Sequence, residues 1–289
     1  MQQMELEYSA LPLSHAWPAL PHVRKRRLTL VYFCVADAVQ KGCKKVTICT
    51  VDTDVVVLAV ASFNKIAPDE PRVAFGAGSS FWYIAVPQIV AKMNPRQCLA
   101  LPGFHAFTGC DTVSAFAGRG KRTAWETWKS FPEVTGALQE LLAMPSEVSK
   151  GSRSLIERFV VLMYDRTSDC MEVNDARKHL FSQKSRTLEN IPPTQAALKE
   201  HIKRTCFQAN LWNQSLVLDP KIPEPSDWGW TKESTRWQPF WTALPEAAKS
   251  CHELIRCNCQ KGCTGRCTCV KAALACTDLC FCSGDCVRV

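Results

Sequence analysis

The sequence predicts an α/β domain whose second half is mostly helical, followed by a small cysteine-rich domain. Three observations carry that reading. A β-branched apolar run, Val46 to Val51, leads through an acidic turn into a second apolar run that fits a helix. Strand-like and helix-like segments alternate up to about residue 95 and give way to helical patterning beyond it. Nine of the 17 cysteines crowd between Cys257 and Cys286, a density no ordinary core requires.

Residues 1 to 27 carry three prolines and no sustained periodicity, so they read as an irregular lead-in, with order beginning near Leu28. Val46 to Val51 reads as a buried strand, Asp52-Thr53-Asp54 as the turn after it, and Val55 to Phe63 as the helix. Arg72 to Phe75 and Ser80 to Ala85 read as strands on either side of Gly76-Ala77-Gly78. Helical patterning starts at Pro95, breaks at Gly109 to Asp111 and at Gly118 to Lys121, and resumes from Arg122 to Phe131 and from Pro132 to Ala143. Leu155 to Tyr164, Asn174 to Ser182 and Thr194 to Leu216 continue as helices, with Asn174 and Thr194 suited to N-caps. The stretch from Asp219 to Trp241 interleaves prolines with Trp228, Trp230, Trp237 and Trp241, too aromatic for a disordered linker and too proline-rich for regular structure. It is expected to be ordered, extended and packed on the domain before it, so that the chain divides as 1–27, 28–218, 219–250 and 251–289. No repeat of solenoid length is visible.

Composition bounds the function. At 289 residues and 46% apolar the chain is globular. The apolar run from Leu28 to Val39 follows Arg24-Lys25-Arg26-Arg27, comes late for a signal peptide, and is too short to span a bilayer. With that pattern the cysteines point to metal binding in a reducing, intracellular compartment rather than to a disulfide scaffold. A formal charge of +8 permits contact with a polyanion without specifying one.

The candidate metal ligands are Cys257, Cys259, Cys263, Cys267, Cys269, Cys276, Cys280, Cys282 and Cys286. Nine thiols suit isolated tetrahedral sites poorly. Three zinc ions need about twelve coordination positions, which nine thiolates fill if three bridge and six are terminal. The resulting formal charge, near −3, is offset by Arg256, Lys261, Arg266, Lys271 and Arg288. The competing reading is a disulfide-rich or free-thiol tail.

This segment, RCNCQKGCTGRCTCVKAALACTDLCFCSGDC, resembles the CXC domain of the tesmin and TSO1 class, of a dosage-compensation ubiquitin ligase and of the region preceding histone methyltransferase SET domains. The resemblance implies zinc, and in several relatives DNA binding through the side chain beside the second C-x-C pair. Arg266 holds that place, where tesmin-type domains carry tyrosine; an arginine there suits phosphates or a narrow minor groove.

The second constellation is acidic. Asp52 and Asp54 stand at a strand's carboxyl end, where open α/β sheets bind ligands, and Asp111 falls on a turn of small residues. Three such carboxylates suit one hard cation, Mg²⁺ or Mn²⁺; the competing reading is helix capping by Asp52 and Asp54 and an ordinary turn at Asp111. Gly118-Arg119-Gly120-Lys121-Arg122 opens a helix soon after, so that Gly118 and Gly120 let backbone approach a phosphate while Lys121 and Arg122 supply charge; a solvated basic turn is the alternative. His105 reads as a satisfied core histidine, with a metal or general-base role as the alternative, and Cys110 as buried packing rather than a nucleophile. Base stacking is one reading of the tryptophans and packing on the helices the other.

TVDTDVVVLAV together with LPGFHAFTGCDTVSAFAGRGKRTAWETW resembles the 5′-nuclease branch of the PIN-like fold, to which flap endonucleases belong. It is most similar to a mobile-element-derived group that joins such a domain to a C-terminal CXC module. The resemblance runs from about Ala36 to the end, includes DWGWTKESTRWQPFW, and implies a nuclear, DNA-binding protein. The family also uses an early aspartate and an acidic Glu-Ala-Asp helix upstream of Ala36, where this chain has Arg24 to Leu30; a shifted or truncated reading frame is the expectation. Two-metal hydrolysis needs ions about 3.5–4 Å apart, for which three aspartates are too few. The sequence therefore predicts a zinc-containing nucleic-acid-binding protein with a degenerate nuclease-like domain. The alternatives are an active nuclease whose missing acids are Glu5, Glu7 or a partner's, and a non-catalytic scaffold that docks protein through the zinc module.

Overall fold

A computed structural model describes residues 3–7, 32, 34–43, 45–66, 70–77, 80–143, 147–182, 190–217, 219–234 and 236–242, and then Cys257, Cys259, Cys269, Cys276, Cys280 and Cys282. The chain forms two compact units, Met1–Phe240 and Trp241–Val289. Among the described residues, no helix is long and apolar enough to cross a membrane.

The first unit is mixed α/β. Its sheet holds β1 (Gln3–Glu7), β2 (Lys45–Thr50), β3 (Glu70–Ala77) and β4 (Ser80–Ala85) in that order. β1, β2 and β3 run parallel, and β4 pairs antiparallel with β3; Gly76 and Ala77, expected in the turn, instead continue β3 opposite Phe81 and Ser80, and Gly78 lies outside the described residues. Strand β1 corrects the expectation of an irregular lead-in over residues 3–7, while residues 8–27 lie outside the described residues. Gln3-Met4-Glu5-Leu6-Glu7 alternates polar and apolar residues, and Met4 and Leu6 stand in register with Val46 and Ile48, the buried positions of β2. That period of two is a strand signal, short enough to be missed.

A helix over 34–40, α1, precedes β2, and α2 (Thr53–Ile66) follows it. Buried Tyr32 donates its hydroxyl hydrogen to the Val55 carbonyl, tying the segment before α1 to α2. Beyond β4 come α3 (Val86–Lys92), α4 (Pro95–Phe107), α5 (Lys121–Ser130), a 3₁₀ turn (Pro132–Val134), α6 (Thr135–Ala143), α7 (Lys150–Tyr164), α8 (Val173–Ser182) and α9 (Gln195–Asn213). Helix α4 starts with a full capping box: Asn94 accepts from the Gln97 N–H at 2.8 Å, Gln97 accepts from the Asn94 N–H at 3.4 Å, and proline takes the first turn. Thr194 caps α9 as predicted. Asn174 does not cap α8: the helix begins at Val173, and the Asn174 carboxamide oxygen instead accepts the Gln195 N–H at 3.0 Å, stapling the start of α9.

Two apolar clusters meet at α4. One surrounds the sheet and α2 with Val46, Ile48, Val55, Leu58 and Val73; the other fills the helical half with Phe104, Phe107, Trp128, Leu138, Phe159 and Leu198. Leu101 packs against both, so α4 is apolar nearly all round. This explains why its amphipathic signal is weak: a helix covered on both sides has no polar face to declare.

Residues 219–240 pack on the first unit, as expected, but are not simply extended. A 3₁₀ turn (Pro225–Trp228) lies against α9, and β5 (Trp230–Glu233) pairs with β6 (Arg236–Pro239) in a hairpin. Buried Arg204 on α9 donates to the Gly229 carbonyl at 3.2 Å, and Trp228 packs on the helical core. Packing is therefore the role seen for Trp228.

His201 on α9 is 6% exposed; one ring nitrogen, Nε2, lies 2.8 Å from the Phe107 carbonyl, to which it donates, and burial lowers its pKa to about 4. The native state thus refuses a proton that the unfolded chain binds below about 6.5. The associated stability is present above that pH and is lost as pH falls towards 4. Between pH 7 and 5 this one group is expected to remove about 2 kcal/mol, by the linkage relation. Urea denaturation of wild type and His201→Gln at both pH values checks it: the wild type should lose more stability on acidification than the variant.

Candidate functional site

Strand β2 ends at Thr50, whose hydroxyl oxygen accepts the Asp52 N–H at 2.9 Å; Asp52 Oδ1 in turn accepts the Asp54 N–H at 2.9 Å. Asp52 is therefore the cap of α2, as the competing reading of helix capping expects, with Asp54 in the first turn. Capping engages one oxygen of Asp52 and leaves the carboxylate at the strand's carboxyl end.

There a cleft of about 330 Å³ opens, lined by Val51, Asp52, Thr53, Asp54, His105, Gly109, Cys110, Asp111 and Lys121. The three predicted aspartates thus share one cleft with the predicted lysine. His105, from the last turn of α4, lies with Nε2 2.9 Å from Asp54 Oδ1, and both side chains are largely buried. It is both a core histidine, its ring against Trp212, and a cleft residue. Sequence gave a partial signal in its position six residues before Asp111; the Asp54 contact spans 51 residues and has none.

Lys121 is placed differently from the phosphate-binding expectation. Its ammonium donates to the carbonyls of His105 (2.9 Å) and Gly109 and lies 3.1 Å from the Thr108 hydroxyl oxygen. The three donors of an ammonium are spent on the end of α4, so Lys121 fixes the cleft wall. Desolvation lowers its pKa, and the charges of Cys110 and Asp54 oppose that shift. Gly109 has φ +107°, and a Cβ there would meet Ala115 Cα at 2.9 Å, so only glycine lets the turn present its carbonyl to Lys121.

Gly118 takes a left-handed turn, and Gly120 is the N-cap of α5 with open space around its Cα. Arg119 stacks its guanidinium 4.8 Å from the centre of the Tyr164 ring and donates to the Tyr164 carbonyl at 3.3 Å. Arg122 is exposed. Cys110 is sheltered, and burial pushes its thiol pKa up, which suits packing rather than nucleophilic attack.

The second unit carries the other site. Sγ atoms of Cys257, Cys276, Cys280 and Cys282 all lie within 4.8 Å of one another. Cys257 Sγ is 3.8 Å from Cys276 Sγ and 3.7 Å from Cys282 Sγ. Four thiolates on a zinc ion at about 2.3 Å define a tetrahedron with edges of about 3.8 Å, whereas a disulfide brings sulfurs to about 2.05 Å. The donor set and spacing therefore fit a thiolate-bound metal. Cys269 lies 3.5 Å from Cys280 and shares a cluster with Cys259 and the others. Cys263, Cys267, Cys286 and Arg266 lie outside the described residues. Among the described residues the four cysteines form the group drawn this close; Asp52, Asp54 and Asp111 line one cleft but are not drawn into such a group.

No family model, curated protein or solved structure matches this chain.

Proposed function

We propose that the chain is a zinc-containing nucleic-acid-binding protein: a CXC-type thiolate cluster joined to a PIN-like body related to 5′-nucleases, whose acidic cleft has little or no hydrolytic activity. The observation that carries the reading is the spacing of the Cys257, Cys276 and Cys282 sulfurs, which is that of a tetrahedral zinc edge. Nine cysteines supply the ligands of about three ions. The net charge of +8, the exposed Arg122 at the start of α5 and Arg266 in the zinc segment supply the attraction for phosphates. DNA is the expected partner and the nucleus the expected location, from the CXC and nuclease resemblances. In the cleft, Asp52, Asp54 and Asp111 suit a single Mg²⁺ or Mn²⁺, short of the pair that assisted hydrolysis uses.

The test is affinity for a DNA duplex as salt rises. About three phosphate contacts give a log–log slope near −3, a loss of about 40-fold between ~50 and ~200 mM salt, and Arg122→Ala should bring the slope about one closer to zero. A flat response, or no binding, favours a protein-docking scaffold and overturns the reading.

One observation favours an active nuclease. Strand β1 runs parallel to β2 with Glu7 in register with Cys49, which sets Glu7 at the sheet edge that leads to Asp52. Incubation with Mn²⁺ and branched DNA separates the two: we expect no robust cleavage. Robust cleavage that disappears in Asp52→Ala and falls in Glu7→Gln establishes the enzyme.

A further inference from the structure

Strand β4 is the outer strand of the sheet, paired among the described residues with β3 on one side. Edge strands in natural proteins are guarded by charges, prolines or bulges, because their free N–H and C=O groups recruit other strands. Ser80-Phe81-Trp82-Tyr83-Ile84-Ala85 carries none of these. It instead exposes three successive aromatic residues, Phe81 at 48%, Trp82 at 60% and Tyr83 at 57%. They decorate both faces: Trp82 lies against Phe75 of β3 at 5.3 Å, while Phe81 and Tyr83 meet each other at 5.5 Å on the other side.

Three rings at about half exposure leave roughly 300–400 Å² of apolar surface in water, divided between the two faces of the strand, within the size of the largest patch on a typical monomer. The position asks for a partner, and the chemistry of the strand chooses one. A polyanion would need cations, and β4 has no Lys or Arg. A second β4 fits without adjustment. In an antiparallel pair, residues directly opposite share a face. With a twofold axis through Trp82, Trp82 opposes its own copy on one face and Phe81 opposes the other copy's Tyr83, twice, on the other face. Every exposed ring then finds a ring, and no like charges meet. Side-by-side pairing covers the flanks of the rings, so two copies remove part of roughly 600–800 Å² through the rings, and the strand backbones add to it, an interface at the low end of specific ones.

We propose that the protein forms a twofold dimer through antiparallel β4–β4 pairing centred on Trp82, making one continuous sheet from two chains. This inference is independent of what the zinc segment and the cleft do. It predicts a homodimer in which each chain keeps its own cleft.

The experiment uses the full, zinc-loaded chain in reducing buffer, with mass measured by sedimentation and light scattering over the micromolar range. Wild type is expected to be dimeric. Trp82→Glu and Trp82→Lys should each raise the dimer dissociation constant at least about tenfold, because like charges meet at the axis. An equimolar mixture of the two should recover dimers, since carboxylate then faces ammonium. Far-UV circular dichroism and zinc content matching wild type show that each variant folds; the mixture provides the decisive readout. A wild type that stays monomeric, variants that dimerise as wild type does, or a mixture that remains monomeric overturns the proposal. Loss of single-stranded DNA affinity in Trp82→Glu with a monomeric wild type also overturns it, assigning the patch to base stacking.

Discussion

Replacing Cys280 with serine is expected to strip the second unit of most of its metal. Cys280 is a described thiol found in both close groupings: it belongs to the four-sulfur set with Cys257, Cys276 and Cys282, and it lies 3.5 Å from Cys269. A sulfur in that position is suited to serve two ions, so its loss opens two coordination spheres, whereas loss of a terminal ligand opens one. Serine keeps the size but offers a neutral hydroxyl in place of a thiolate. Few apolar side chains lie between the cysteines, so on the proposed reading the segment depends on metal for its fold; structural zinc supplies about 10–16 kcal/mol in small zinc-finger peptides. Metal content after gel filtration checks the prediction. Cys280→Ser should fall by more than one ion per chain, with hydrogen exchange accelerated across 257–286. Cys206→Ala is the control: that thiol is buried on α9 with its pKa pushed up to about 12, a packing residue, and its removal should leave metal content unchanged. A Cys280→Ser protein that keeps its full metal would refute the shared-thiolate account.

The second large effect is expected at Gly103. This residue lies within α4 where α6 crosses it, and a Cβ there would collide with the Leu138 carbonyl oxygen and reach Leu142 Cδ1 at 3.0 Å. The obstacle is helix backbone, which cannot rotate away. Gly103→Val must push α6 off α4, opening gaps around Leu138, Leu141 and Leu142. Overpacking of this kind costs about 1–3 kcal/mol, and separation of two helices that join both cores places the expected loss at about 3 kcal/mol or more, despite the better helix propensity of valine. Chemical denaturation should show the midpoint falling with little change in slope. The same displacement moves His105, two residues on, so its contact with Asp54 in the cleft should loosen in parallel. A variant as stable as wild type would mean that the α4–α6 contact is looser than described.

What the sequence disclosed, it disclosed through local patterns. The β-branched run before Asp52, the apolar run after it, the Asn94-Pro95 start of α4 and the Thr194 cap are each set by residues close in the chain. The aspartates were legible as neighbours of one cleft because strand ends and tight turns have recognisable residues. What escaped was either short or tertiary. Strand β1 offers two apolar residues, too few for periodicity to stand out from the prolines that follow. The hairpin of β5 and β6 was hidden because four-residue strands around a turn at Ser234, φ 54°, look like irregular proline-rich chain. The inward turn of Lys121 and the Asp54–His105 contact depend on where α4 ends relative to α5 and β2, and no local pattern records that. For the cysteines the spacing pointed to metal ligands, and the structure draws four of them, Cys257, Cys276, Cys280 and Cys282, close enough to hold an ion.

Native mass spectrometry of the whole chain, sprayed from volatile buffer without chelator, asks most directly whether thiolates at the carboxyl end hold metal. The account predicts a mass excess of about three zinc ions over the apo chain, with about two protons displaced per ion. A chain that carries no metal, or one lighter by pairs of hydrogens from oxidised sulfurs, would contradict it.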